Sequence, residues 1–234
     1  MSNEGISIEE LTKNRTPSEL LSWVKWKMDQ IESTDEGERA LRLREGLAKQ
    51  LMEEVYPLAI FGWRKFGNTD QVLMQPIIDD QPYDAILTDL RSKPASQSYV
   101  EITQAHEGEN DYLRRLVFQR QGNVFMPSRV IKTGTKKTGL RVSVSPNANS
   151  GEVAPSELER IYLAAERKAA KDYPVNTSLI IIFKDDRFFQ RAIDDAKLDA
   201  FVKKCILKLD LRFSTLYLVG WQNVFREFSL CKRT

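Results

Sequence analysis

The sequence predicts an α/β fold, and three observations carry that prediction. Segments with apolar residues at helical spacing alternate along the chain with short β-branched and aromatic runs. Two of those runs, residues 177–183 and 216–219, are apolar without alternation, as strands covered on both faces would be. The order of segments is helix, three-strand meander, basic insertion, helix, buried strand, helix, buried strand.

The first helix is signalled by Thr16-Pro17-Ser18-Glu19, a cap followed by proline at the first helical position, and runs through about Glu32 with Leu20, Val24 and Ile31 inward. Residues 1–33 are expected to form an N-terminal accessory helix, and residues 34–234 the main domain. Thr34 and Asp35 offer a second start, and Ala40, Leu43, Leu47, Leu51 and Val55 recur at helical spacing until Pro57 is expected to end the pattern. Glu53 and Glu54 fall in its last turns. Strands are expected over residues 71–79, from Asp84 to Leu87, and over 98–102, making a meander.

A helix is expected over residues 111–121, stopped by Gly122. Val130-Ile131 and residues 140–144 then flank a lysine-bearing tip, which reads as a hairpin within an insertion of about 122–152. Pro155-Ser156-Glu157 is expected to open a helix to about Asp172, and residues 199–209 form another, with Phe201, Val202, Cys205 and Leu209 inward.

Composition narrows the function classes. With 234 residues, 41% of them apolar and 29% charged, the chain can bury one good core but has no room for a second catalytic domain. The longest apolar run is far too short to span a bilayer, and the polar, acidic start does not resemble a signal peptide, so a soluble cytoplasmic protein without membrane partners is expected. Of two cysteines, Cys205 reads as a buried thiol and Cys231 lies in the tail; His106 is the only histidine, so a zinc site is excluded and any metal should be a hard cation held by oxygen. Net charge is only +2, yet Arg114, Arg115, Arg120, Arg129, Lys132, Lys136, Lys137 and Arg141 form a basic stripe able to bind phosphate, with a solvated loop as the alternative.

The residues that carry chemistry lie on the meander. Pro82-Tyr83-Asp84 resembles the P-x-D element, and Val100-Glu101-Ile102-Thr103 the (D/E)-x-K element, of the PD-(D/E)xK nuclease superfamily, over roughly residues 34–220. The resemblance implies a restriction-endonuclease-like core and a metal-dependent endonuclease that hydrolyses DNA phosphodiester bonds, with RNA left open and a homodimer or larger assembly compatible. It further implies that Asp84 and Glu101 ligate Mg2+ or Mn2+, that the carbonyl of Ile102 completes the inner shell, and that Glu54 or Glu53 adds a carboxylate. Lys132, Lys136, Lys137 and Arg141 would hold the phosphate backbone. The family's lysine is replaced by Thr103, whose hydroxyl supplies no positive charge; Gln104 and Lys168, the latter flanking the apolar stripe of its helix, are the candidate substitutes.

The Thr103 substitution also opens a second reading, a catalytically inactive nuclease-fold protein acting as a nucleic-acid-binding or protein-interaction module. Asp84 and Glu101 can alternatively be a turn residue and the solvent face of an alternating strand. His106 reads first as a hydrogen-bonded loop residue, Asp185-Asp186 as a solvated turn, and the four tryptophans as core or docking residues, Trp23 and Trp26 marking a candidate docking helix.

Overall fold

Burial on both sides of one sheet sets the architecture. A computed structural model describes residues 5–124, 129–134, 139, 141–145, 150–187 and 191–230. Strands β1 (Val72–Pro76), β2 (Ala85–Asp89), β3 (Ser96–Gln104), β6 (Thr177–Phe183), β7 (Thr215–Gly220) and β8 (Phe225–Ser229) form a six-stranded sheet in the order β1-β2-β3-β6-β7-β8. The central strands β3, β6 and β7 run parallel, and the outer pairings are antiparallel. The fold is therefore α/β with a mixed sheet. Strands β4 (Val130–Thr133) and β5 (Arg141–Val144) make the expected hairpin, a separate ribbon beside helix α6 (Glu109–Gln121).

The unbroken apolar runs are explained by the layers. Ile180, Ile182, Tyr217 and Val219 face a core shared with helices α2 (Pro17–Glu32), α3 (Asp35–Leu43), α4 (Gly46–Gln50) and α5 (Tyr56–Phe66). Leu179, Ile181, Phe183, Leu216 and Leu218 face a second core with α7 (Ser150–Lys168) and α8 (Arg191–Lys204). Full burial of one such side chain contributes about 1.5–3 kcal/mol, so covering both faces fixes strand order strongly.

Helix α2 starts as expected, with Thr16 and Glu19 forming a reciprocal capping box and Pro17 at the first position. It is no appendage: Leu20 and Val24 are fully buried in the first core. The preceding turn also guards an edge of the sheet, where Arg15 exchanges backbone hydrogen bonds of 3.1 and 2.8 Å with Met74 on β1. A short helix α1 (Ile8–Leu11), too brief for a periodic signal, precedes it. Trp23 packs beneath the Arg15 guanidinium at 3.9 Å, whereas Trp26 is exposed.

The single helix expected from Thr34 to Pro57 is corrected. Arg44 adopts a left-handed conformation (φ 59°) and ends α3; the chain restarts as α4, widens into a π turn over Leu51–Val55, and continues as α5 through Phe66. Pro57 thus begins a helix instead of ending one. The reason is local: Tyr56 N–H bonds Leu51 O in the π pattern, and Pro57 lacks the N–H that Met52 or Glu53 would otherwise receive. The side-chain amide of Gln104, at the end of β3, donates to those two carbonyls at 3.2 and 3.4 Å, and its oxygen accepts from Arg44 at 2.8 Å.

Other bounds also shift. Pro155 lies inside α7, and α8 begins before its expected start because Asp194, Asp195 and Lys197 obscure its apolar stripe. Strand β8 was not expected, since Arg226 and Glu227 interrupt its pattern; as an edge strand it bears those charges, which pair with Asp195, Asp199 and Lys65. Cys205 is half-buried, not buried, because it lies at the rim of a groove between α7 and α8. Asp185 is no solvated turn residue: it is 8% exposed, and its carboxylate accepts the N–H groups of Gln222, Asn223 and Val224 at 2.6–2.8 Å, pinning the β7–β8 turn.

Replacing Gln104 with Leu should strand the carbonyls of Met52 and Glu53 and lower stability by roughly 2–4 kcal/mol. Urea unfolding should show this as a lower midpoint at unchanged slope.

Candidate functional site

The register of the meander brings Asp84 and Glu101 together. Asp84 immediately precedes the pair Ala85↔Val100 and its N–H donates to Val100 O at 2.8 Å, which holds it beside β3 close enough for its carboxyl to sense the Glu101 charge. The Asp84 carboxylate also accepts the Ile102 N–H at 2.6 Å, which anchors it against β3. Glu101 is 7% exposed and ion-pairs with Lys168, reaching over from the last turn of α7.

Glu54 approaches from the π turn on the other side of the sheet. Burial, then Asp84 and Glu53, push its carboxyl up to about 7, against the pull of Lys49. Asp84 is likewise pushed up to about 7, by burial and then by Glu101, with the Ile102 N–H and Lys168 opposing. The Tyr173 phenol is pushed well above its ordinary value by burial and by Glu101 and Asp84, so it belongs to the same neighbourhood. Three carboxylates at the junction of β2, β3 and the π turn therefore sense one another, with Lys168 as their cation.

The remaining expected site residues are placed differently. Thr103 lies two residues beyond Glu101 on the same face of β3. Gln104 points to the opposite face, where its amide is spent on Arg44 and the π-turn carbonyls. Lys132 pairs with Glu109 at 2.6 Å, and Arg141 is exposed on β5; Lys136 and Lys137 lie outside the described residues. Arg114, read as part of the basic stripe, is 2% exposed and belongs to a closed ion network with Glu107 and Asp111, joined by Glu157, Arg160 and Lys184. Burial works against the charge of Asp111, but Lys184, the Glu107 N–H and Arg114 hold its carboxyl far below the ordinary range.

His106 accepts the Gly108 N–H on Nδ1 at 2.8 Å, which leaves the proton of the neutral ring on Nε2. Partial burial lowers its pKa, as do Arg167 and Arg44, while Asp111 and Glu53 act the other way. Arg44, Arg167 and Tyr173 carry no sequence signal, because none stands in a motif, and Arg115 stood out only as one member of the basic stripe; their convergence depends on α3, α6 and α7 meeting the end of β3.

No family model, curated protein or solved structure matches the chain. Among the described residues no three His, Cys, Asp or Glu side chains form a ready-made metal cluster. The fit to a hard divalent cation is one of donor chemistry: Asp84, Glu101 and Glu54 offer only oxygen, and their charge favours a cation. No helix among the described residues is long and apolar enough to cross a membrane.

A carboxyl whose folded pKa is raised contributes a penalty that is absent below its unfolded pKa and complete above its folded one. In chelator-treated protein, Asp84→Asn should therefore raise Tm relative to the parent at about pH 8 and leave it nearly unchanged at about pH 3, where the carboxyl is mostly neutral in both the folded and the unfolded chain. Each kcal/mol of relieved charging cost should appear as roughly 2–4 °C in thermal unfolding.

Proposed function

We propose that this chain is a metal-dependent endonuclease of the PD-(D/E)xK kind, hydrolysing phosphodiester bonds of DNA on a restriction-endonuclease-like core. The observation that carries the reading is the Lys168–Glu101 ion pair beside Asp84. It supports α7 as the source of the positive charge that Thr103 cannot provide, because a lysine anchored on one metal-site carboxylate stands within reach of a phosphate bound there.

In this reading Asp84, Glu101 and Glu54 hold Mg2+ or Mn2+, which when bound neutralises phosphate charge and lowers the pKa of a water. Lys168 keeps its ammonium next to the reacting phosphate and orients Glu101. Asp84, tied to the Ile102 N–H, keeps its carboxylate in one position, so little reorganisation is needed. Tyr173 lies near enough to the pair for its phenol to sense both carboxylates. The exposed Arg141, with Lys132, Lys136 and Lys137, extends the contact to the phosphate backbone.

A second reading, a non-catalytic nucleic-acid-binding or protein-interaction module of the same fold, rests on Thr103 in the motif position. The lysine supplied by α7 favours hydrolysis over it.

Cleavage of plasmid DNA in Mg2+ or Mn2+ is the deciding assay. Asp84→Ala and Lys168→Met should each lower the rate by roughly 10²–10³-fold or more, with far-UV circular dichroism unchanged, whereas Thr103→Val should leave it within about threefold. Retained activity in both Asp84→Ala and Lys168→Met, or a parent protein that cuts neither DNA nor RNA, would overturn the hydrolase.

A further inference from the structure

Beyond the carboxylates, the end of β3 gathers positive groups from four separate segments. Arg44, from the end of α3, donates to the Gln104 side chain at 2.8 Å and to Glu53 at 2.9 Å. Arg167, one residue before Lys168 and exposed, donates to the Gln104 carbonyl at 3.4 Å. His106 follows two residues after Gln104, is exposed, and carries its ring proton on Nε2 because Nδ1 accepts the Gly108 N–H. Arg115 lies one turn before Gln119, which binds Arg42 of α3 at 2.7 Å, so it faces the same α3–α6 seam.

Two features of this group are unusual for structural residues. Arg115 has a buried Nε without a hydrogen-bond partner and, among the described residues, pairs with no carboxylate. Partly buried guanidinium donors ordinarily find partners, and their absence is costly. Arg44 holds a positive φ of 59°, a conformation that glycine adopts more easily, at the residue whose side chain enters the cluster. Among the described residues Glu53 is the acidic side chain paired with one of these cations, through Arg44; Asp111 also faces Arg115 and His106, but its ion pairs are with Arg114 and Lys184. The cluster therefore has surplus positive charge and, at Arg115, an unsatisfied guanidinium donor, the chemistry that recognises a phosphate.

We infer that Arg44, Arg115, Arg167 and the Nε2–H of His106 form an anion subsite that holds a second phosphate of the nucleic-acid strand, next to the one at Asp84, Glu101 and Lys168. The placement rests on the proposed function, since Gln104 lies three residues along β3 from Glu101, roughly 10 Å at strand spacing. The subsite would set the register of the strand and select a phosphorylated partner, by a terminal phosphate or by an internal one.

The test is fluorescence anisotropy of the full chain in EDTA with short single-stranded oligonucleotides labelled at the 3′ end, carrying either a 5′-phosphate or a 5′-hydroxyl. Arg115→Gln and Arg167→Gln should each weaken binding roughly tenfold, and Arg115→Gln should lower the salt dependence by about one counterion. Arg115→Lys should restore that salt dependence, which a merely structural role would not do. A loss confined to the 5′-phosphate strand identifies a terminal phosphate, and an equal loss on both strands an internal one. Parental affinity and salt slope in both glutamine variants, or a parent that binds neither strand, would overturn the subsite. Because no cleavage is read, a parent that binds in this way but hydrolyses nothing in Mg2+ would refute the hydrolase and leave the subsite standing.

Discussion

Pro57 removes one backbone donor at the π turn, and the Gln104 amide donates to the carbonyls of Met52 and Glu53 there. This exchange couples the helical layer to the end of β3. It places the π turn, and with it Glu53 and Glu54, against the strand that carries Glu101. It also draws in Arg44, whose guanidinium completes the Gln104 side chain from the other direction. π turns are uncommon because their geometry is poorer than that of the α-helix, and they persist where something else uses the widened turn. Here the user is a side chain one layer away, so a local irregularity becomes the hinge point on which the site is assembled.

Two polar clusters flank that point, and they obey opposite electrostatic rules. In the network of Glu107, Asp111, Arg114, Glu157, Arg160 and Lys184 the charges alternate in sign and most donors and acceptors meet, so Asp111 stays ionised although it is buried. At Asp84 and Glu54 the carboxylates instead repel one another across a largely dry junction, with Lys168 as partial relief. A fold tolerates such a destabilised group where its charge serves a purpose, and the neighbouring network supplies the rigidity that holds it. Perturbed carboxyls beside an anchored lysine are the features on which the proposed hydrolase rests.

The sequence reading reached the elements with strong local signals. The capping box at Thr16, the apolar runs of β6 and β7 and the order of the meander all follow from spacing and side-chain type. Where it departed, a distant partner had overridden a local rule: Pro57 was read as a stop because Gln104 was not yet beside it, β8 was hidden by charges that find ion-pair partners on α5 and α8, and Arg114 was counted as surface charge although its carboxylates come from the loop after β3 and its own helix.

What the sequence determined alone was a set of short-range facts: an α/β pattern, two acidic residues on neighbouring strands, and a threonine where a lysine would be expected. Tertiary structure decided which positive groups meet those acids. Lys168 lies 67 residues from Glu101, and Arg44 lies 60 from Gln104, yet each pair is in contact. Periodicity and motif spacing report only what neighbours along the chain can do, whereas a charge pair spanning two layers depends on how helices pack over the sheet, which no local pattern encodes.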